Sequence, residues 1–223
     1  MTTENPPDWF NRALKAKVSQ GFVEVQGCKV HYRSWGTIGL PGIVLIHGSN
    51  AHLEWWRFVA PFLADQFRVV ALDLSGHGDS GWRSTYSGSL FAQEVMAVCE
   101  AAHLGDKPFI VAHSFGGFVG LETGHHFGEK LGGIIFADFT VEPPERYIEW
   151  GKKADQRGGE PARATRIYPA EDEALARFRL IPEQPCQHAF VVDFIARQSL
   201  RAVTGGVTWK FDPGLFDFLE MGL

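Results

Sequence analysis

A short apolar run that leads into a serine flanked by small residues is the feature that most limits how this chain can fold. Residues 108–117 read PFIVAHSFGG, and apolar residues at helical spacing follow them. This order predicts a strand, a sharp turn and a helix. The turn can form only if the residues two before and two after Ser114 are small, and Ala112 and Gly116 meet that condition. We therefore predict that Ser114 has a strained backbone and presents its hydroxyl above the sheet as a nucleophile.

Patterns typical of strands and helices alternate on both sides of this turn. Alternating apolar and polar residues over 21–35 predict an antiparallel hairpin centred on Gln26 and Gly27. Apolar runs predict strands at 42–46, 67–74 and 131–139, and helical spacing predicts helices at 55–65, 90–104 and 115–127. The sequence thus predicts an α/β fold with a mostly parallel sheet and helices on both faces.

The chain changes character after residue 143. Residues 147–203 are richer in charge, show helical spacing at 172–180 and 189–203, and contain no strong strand pattern. Open α/β sheets bind ligands at the carboxyl ends of their strands. We therefore predict a core over residues 1–143, a helical cap inserted over that edge at 144–203, and a return to the core at 204–223.

Three segments resemble those of the α/β-hydrolase superfamily. The turn is similar to its G-x-S-x-G nucleophile elbow, with Ala112 at the first glycine. HGSNAHLEWW (47–56) looks like the oxyanion loop of lidded members, namely the epoxide hydrolase, haloperoxidase and meta-cleavage hydrolase branch, and DLSGHGDS (73–80) looks like their next turn. The resemblance implies an oxyanion hole formed by the amides of Ser49 and Phe115.

A serine at the elbow implies a hydrolase that acts on a carboxylic ester or a related acyl substrate. It disfavours the aspartate nucleophile of epoxide hydrolases and haloalkane dehalogenases. Carbon–carbon bond hydrolases and perhydrolases remain alternatives within the superfamily.

The resemblance leaves the catalytic base unassigned. Superfamily chains usually continue through two more strands that carry the acid and then the histidine, whereas this sequence stops at Leu223 without a histidine in such a position. Asp138 is the candidate acid, although a polar residue that simply closes a strand is the commoner interpretation. We expect a C-terminally incomplete sheet whose exposed edge offers a surface for a homo-oligomer. The second functional hypothesis is a truncated or catalytically incomplete chain that keeps only an acyl-binding cleft.

The remaining histidines receive non-catalytic interpretations. His47 is predicted to brace the oxyanion loop, His77 to lie in a surface turn, and His113 to point away from the serine hydroxyl. His125 and His126 point about 100° apart on a helix, which favours surface residues over metal ligands.

Two further motifs were weighed against the hydrolase interpretation. Gly76 to Gly81 spells the dinucleotide pattern G-x-G-x-x-G, but no helical pattern begins before about Ser89, so we reject nucleotide binding. Ser114 is also suited to capping the helix that follows, but a cap does not require the glycines after it.

The composition of the chain limits which classes of partner and which kinds of site we expect. The 223 residues carry a net charge of −5 and are 45% hydrophobic, which argues against nucleic acid or an anionic membrane as partner. The first 17 residues lack the apolar core of a signal peptide, and no window approaches the ~18 apolar residues of a membrane span. Three widely spaced cysteines suggest neither a disulfide framework nor a zinc site. We expect a cytoplasmic protein with a small-molecule acyl or ester substrate and no metal or cofactor.

Overall fold

A six-stranded, mostly parallel sheet forms the centre of the molecule. The computed structural model describes residues 5–143, 145–146, 165–181 and 183–220. The strands in chain order are β1 Ser19–Val25, β2 Cys28–Trp35, β3 Gly42–Ile46, β4 Arg68–Leu72, β5 Tyr86–Ser87, β6 Phe109–His113, β7 Gly133–Ala137, β8 Leu200–Val203, β9 Gly206–Trp209 and β10 Leu219–Glu220. The sheet order is β1-β2-β4-β3-β6-β7, and β4, β3, β6 and β7 are parallel to one another. The predicted α/β fold class is confirmed.

The first face of the sheet is covered by helices. In chain order the described helices are α1 Asp8–Lys15, α2 Gly88–Ala101, α3 Phe115–Phe127, α4 Glu171–Leu175 and α5 Ala189–Gln198, and α2 and α3 are the two on this face. Side chains of α2 and α3, among them Phe91 and Val119, share one buried core with Ile46 and Leu72 of the sheet. None of the helices that the structure describes has the length and apolar character needed to cross a membrane.

The second face of the sheet is covered by two 3₁₀ turns and not by the α-helix that the sequence predicted. The helix predicted at 55–65 is wrong, because this segment forms two 3₁₀ turns, Leu53–Trp56 and Ala60–Phe62. Pro61 has no amide hydrogen to continue an α-helix, which explains the interruption. The turns pack with Trp35 and Leu45 in a second core.

An aromatic cluster joins α1 to both the 3₁₀ turns and α5. Phe10 of α1 is 2% exposed. Its ring centroid lies 5.0 Å from that of Phe190, 5.3 Å from that of Phe58 and 5.6 Å from that of Phe194. The N-terminal helix thus fixes α5 against the core.

The described part of the predicted cap contains a strand as well as helices. The helical prediction at 189–203 is wrong after Gln198. From Leu200 the chain forms β8, which pairs with β9 across a turn that includes Gly205 and Gly206, both at positive φ. The helix expected at 172–180 is shorter, as α4 ends at Leu175. Residues 144, 147–164 and 182 lie outside the described residues, so the limits of the cap stay a prediction.

At the end of the sheet, β7 has a partner strand only on its β6 side among the described residues. Ile135, in the middle of this edge strand, is 58% exposed. Association of a second copy at this edge stays a prediction.

Candidate active site

Ser114 lies at the junction between β6 and α3. Its backbone has φ 51° and ψ −120°, a conformation that a residue with a side chain adopts only when its surroundings enforce it. The partly exposed side chain accepts no hydrogen bond from the first turn of α3. Ser114 therefore does not act as a helix cap, which requires extended backbone and that hydrogen bond.

Small residues around Ser114 allow α3 to pass very close to the sheet. A Cβ atom on Gly116 would lie 2.7 Å from the carbonyl oxygen of His47 and 2.9 Å from that of Ile46. A Cβ atom on Gly117 would overlap the ring of Phe139. The requirement for a small residue two positions after the serine is thus confirmed, and its cause is backbone at the end of β3.

The loop after β3 runs beside the serine. A Cβ atom on Gly48 would lie 3.2 Å from the Cβ of Ser114, and Ser49 is the next residue. Within the described part of the chain, the amides of Ser49 and Phe115 donate no hydrogen bond to another backbone group. Two unused N–H groups next to a nucleophile are the arrangement that stabilises an oxyanion. Their role stays a prediction.

His47 braces this loop, as the sequence predicted. The amide of Leu74 donates to its Nε2 at 3.1 Å, so the ring proton lies on Nδ1, which donates to the carbonyl oxygen of Gly48 at 2.7 Å. Burial lowers the pKa of His47 and keeps it neutral. The ring therefore fixes the start of the oxyanion loop against the turn that follows β4.

Asp138 follows β7 directly beside the serine turn. The amide of Ser114 donates to the carbonyl oxygen of Ala137 at 3.0 Å, and Ala137 pairs with His113. Asp138 is exposed and has φ 51°. The neighbouring strand thus carries a carboxylate at the same edge of the sheet as Ser114, but its catalytic role stays a prediction.

No imidazole among the described residues forms a hydrogen bond with Ser114. His77 is 1% exposed, so the predicted surface turn is wrong. Its ring is enclosed by those of His47 and Phe115, at centroid distances of 4.9 and 6.2 Å, and burial lowers its pKa. His113 is partly exposed, and its Nδ1 would lie 3.1 Å from a Cβ on Gly48. The direction of His113 relative to the serine hydroxyl stays a prediction.

A buried carboxylate ties the oxyanion loop to the sheet. Asp73 accepts hydrogen bonds from His31 Nδ1 at 2.8 Å, from the amide of Leu53 at 2.7 Å and from the amide of Asp79 at 3.0 Å. Burial alone would raise the pKa of Asp73, but the hydrogen bond and charge of His31 lower it to about 2. Ser80 completes the network by donating to the carbonyl oxygen of Asp73 at 2.6 Å. Sequence reasoning missed this network.

A second buried pair supports the same turn from α2. Glu94 is fully buried, accepts from the amide of Ser75 at 2.9 Å and pairs with Arg83 at 2.9 Å. Arg83 also donates to the carbonyl oxygen of Val25 at 2.7 Å. The two pairs together hold the segment after β4 in place.

A pocket of about 320 Å³ opens beside the oxyanion loop. It lies between that loop, the segment after α4 and the segment after β9. Its lining residues are Asn50, His52, Arg177, Phe178, Arg179, Ile181, Ser199, Trp209, Lys210 and Phe211. Phe211 of this lining forms a β-bridge with His77, whose ring centroid lies 6.2 Å from that of Phe115, so the pocket lies close to the predicted oxyanion hole.

Potential metal ligands form one group in the described ranges. Ligand atoms of His31, Asp73 and Asp79 lie within 4.8 Å of one another. Each of these side chains already has a partner: His31 Nδ1 is hydrogen-bonded to Asp73 Oδ2 at 2.8 Å, and Lys210 Nζ lies 2.9 Å from Asp79 Oδ1. Such a set is suited to a hydrogen-bond network rather than to a cation. His125 and His126 are exposed, as predicted.

A sequence model for the α/β hydrolase fold matches residues 41–184, which include β3, the serine turn and Asp138. The chain belongs to this family. The match agrees with the three segments that carried the resemblance.

Relatives of this α/β hydrolase include enzymes of several kinds. A dihydrolipoyllysine-residue acetyltransferase component of an acetoin cleaving system from Cupriavidus necator is 33% identical over 145 residues, covering 65% of this chain and 34% of that protein. A soluble epoxide hydrolase from Corynebacterium sp. (strain C12) is 39% identical, covering 48% and 36%. A pimeloyl-[acyl-carrier protein] methyl ester esterase from Edwardsiella ictaluri is 31% identical, covering 45% and 38%. The matches thus span less than half the length of these relatives.

Solved structures of hydrolases share the fold. An esterase from M. tuberculosis superposes with a TM-score of 0.72 over 98% of this chain and 75% of that chain, at 19% identity. A thioesterase domain from the curacin biosynthetic pathway gives 0.67 over 88% and 70%, at 24% identity. At these identities the similarity supports the fold alone.

Sequence reasoning located the strand-to-helix turn at Ser114 in this α/β hydrolase but not the buried network that supports the neighbouring loops. Asp73 and Ser80 bracket the segment DLSGHGDS, and their spacing was the available signal for the buried network. No short sequence pattern could have predicted the pocket, because the oxyanion loop and the other walls lie more than 100 residues apart in the sequence.

Proposed function

We propose that this α/β hydrolase cleaves a carboxylic ester or a related acyl substrate with Ser114 as nucleophile. The observation that carries the proposal is the strained, positive-φ backbone of Ser114 at a strand-to-helix turn that only small residues permit. Turns of this geometry raise a serine hydroxyl into a cleft. Esterases and other hydrolases among the relatives support the same reaction class.

The proposed chemistry is acyl transfer in two stages. Ser114 Oγ attacks the carbonyl carbon of the substrate, its proton passes to a base, and the carbonyl oxygen becomes an oxyanion. The amides of Ser49 and Phe115 would donate to that oxyanion, and the positive end of α3 would add to its stabilisation. The alcohol then leaves with a proton, and water hydrolyses the acyl-enzyme to release the acid. No cofactor is required.

In this proposal Asp138 is the acid that orients the base. The support is its position after β7, one residue beyond the carbonyl group that binds the amide of Ser114. An acid in this role holds the imidazole in the productive tautomer and stabilises its charged form. Asp138→Asn is therefore expected to lower kcat more than KM.

A second candidate function is acyl binding without turnover. It is favoured by the observation that no imidazole of the described residues reaches the Ser114 hydroxyl. Loss of the base from a catalytic triad lowers the rate by several orders of magnitude but leaves the oxyanion hole intact.

A fluorophosphonate probe separates the two candidates. The wild-type protein is expected to be labelled, Ser114→Ala is expected to lose the label, and the exposed strand residue Ser19 offers a matched control, Ser19→Ala, that should keep it. The intact mass of the labelled protein should show one adduct per chain. Absence of labelling in folded wild-type protein would contradict the hydrolase and support the binding-only alternative.

A further inference from the structure

The pocket beside the oxyanion loop is rich in positive charge. Arg177 and Arg179 line it from the segment after α4, and Lys210 lines it from the segment after β9. No acidic side chain is among the described residues that line it. An anionic group entering the pocket would therefore meet attraction from two sides.

The three cations differ in how far they are already neutralised. Lys210 is paired with Asp79 at 2.9 Å. Arg179 donates to the backbone carbonyl groups of Ala176 and Phe178 and has no carboxylate partner in the described ranges. Arg177 is exposed and forms no ion pair there. The two arginines thus retain uncompensated charge at the mouth of the pocket.

A buried nitrogen on the pocket wall also lacks a partner. Ser199 Oγ donates to the carbonyl oxygen of Ile195 at 2.7 Å, so it accepts from His52 Nε2 at 2.8 Å, and His52 Nδ1 is left as an acceptor. This Nδ1 has no hydrogen-bond partner in the described part of the chain, although His52 is buried. Because this Nδ1 accepts and does not donate, it cannot pair with a carboxylate, and recognition of an anion in the pocket falls to the arginines.

We propose that this pocket binds acyl substrates that carry an ionised carboxylate at the end remote from the reacting carbonyl group. The inference rests on the proposed function, which places the reacting carbonyl group at Ser114. Phe211 of the pocket pairs with His77, whose ring contacts that of Phe115 next to this serine. Guanidinium groups bind carboxylates in a bidentate fork, and the aromatic walls formed by Phe178 and Trp209 suit a short methylene chain. The volume of about 320 Å³ is at the lower end for ligand pockets and selects a small acyl chain.

Binding of uncleaved analogues tests this specificity without turnover. The matched pair is adipamate, which carries one carboxylate, and adipamide, in which that carboxylate is a neutral amide. Calorimetric titration of the full chain is expected to show adipamate binding at least about 10-fold more tightly, as is usual for charge-assisted hydrogen bonds. The preference should fall to about 2-fold or less in the Arg177→Gln/Arg179→Gln double variant.

Arg12→Gln provides the matched control, because Arg12 is exposed on α1 and does not line the pocket. It should keep the full preference for adipamate. Raising the salt concentration from 50 to 500 mM should weaken adipamate and leave adipamide unchanged in the wild-type protein, a readout that does not depend on the folding of any variant. Equal affinity for the two analogues, or a preference that survives in the double variant, would overturn the proposal.

The outcome is separable from that of the proposed catalysis. If Ser114 fails to react with a fluorophosphonate but adipamate is still preferred through the two arginines, the catalytic proposal fails and the specificity stands. If Ser114 reacts and neither analogue is preferred, the catalytic proposal stands and the specificity fails.

Discussion

Gly116→Ala adds one methyl group where α3 passes the end of β3. That methyl group would lie 2.7 Å from the carbonyl oxygen of His47 and 2.9 Å from that of Ile46. Both obstacles are backbone atoms, so no side-chain rotation relieves the overlap, and overpacking of this kind costs about 1–3 kcal/mol. Alanine is more favourable than glycine inside a helix by about 0.5–1 kcal/mol, which offsets part of the cost. We expect the free energy of unfolding to fall by about 1–2 kcal/mol.

Urea denaturation followed by tryptophan fluorescence measures this change. The midpoint should fall with the m-value unchanged, because the same surface is exposed on unfolding. Gly128→Ala is the matched control, since Gly128 has φ −53° and a Cβ there would meet no atom within 4 Å. It should raise stability by about 0.4–1 kcal/mol. A Gly116→Ala protein as stable as the wild type would refute the close approach of α3 to β3.

Three further measurements test the buried interactions. Glu94→Gln removes the charge that compensates Arg83 in a buried pair, so unfolding should become easier by about 3–5 kcal/mol, and a loss below 1 kcal/mol would contradict that role. Phe10→Ala should cost about 3–5 kcal/mol and lower the thermal midpoint, whereas an unchanged midpoint would show that α1 does not fix α5. Burial lowers the pKa of His52 from 6.5 to about 4; the unfolded chain therefore takes up this proton first as the pH falls. The contribution of His52 to the free energy of unfolding should be complete above pH 6.5 and fall by about 3 kcal/mol as the pH approaches 4. The decline in stability should be shallower in His52→Asn. Equal slopes in the two proteins would contradict the lowered pKa of His52.

Local patterns predicted the elements that have local causes. The strand at Gly42–Ile46 and the helix at Phe115–Phe127 have the predicted bounds, because uninterrupted apolar runs and helical periodicity belong to the segment itself. The hairpin around Gln26 and Gly27 formed for the same reason, since both residues adopt the positive φ that the turn requires. β8 was not predicted, because its partner β9 lies outside residues 189–203, whose own spacing is helical.

The sequence by itself determined the α/β class, the family and the turn that carries Ser114, because each depends on residue types at short spacing. Only the tertiary structure decided which polar groups are buried. His77 is enclosed by the rings of His47, after β3, and Phe115, at the start of α3, and Asp73 receives hydrogen bonds from the hairpin and the oxyanion loop. The same holds for the cationic pocket, which Arg177 and Asn50 both line although 127 residues separate them in the sequence. Burial and long-range pairing depend on how elements pack together, and periodicity within one segment carries no information about that packing.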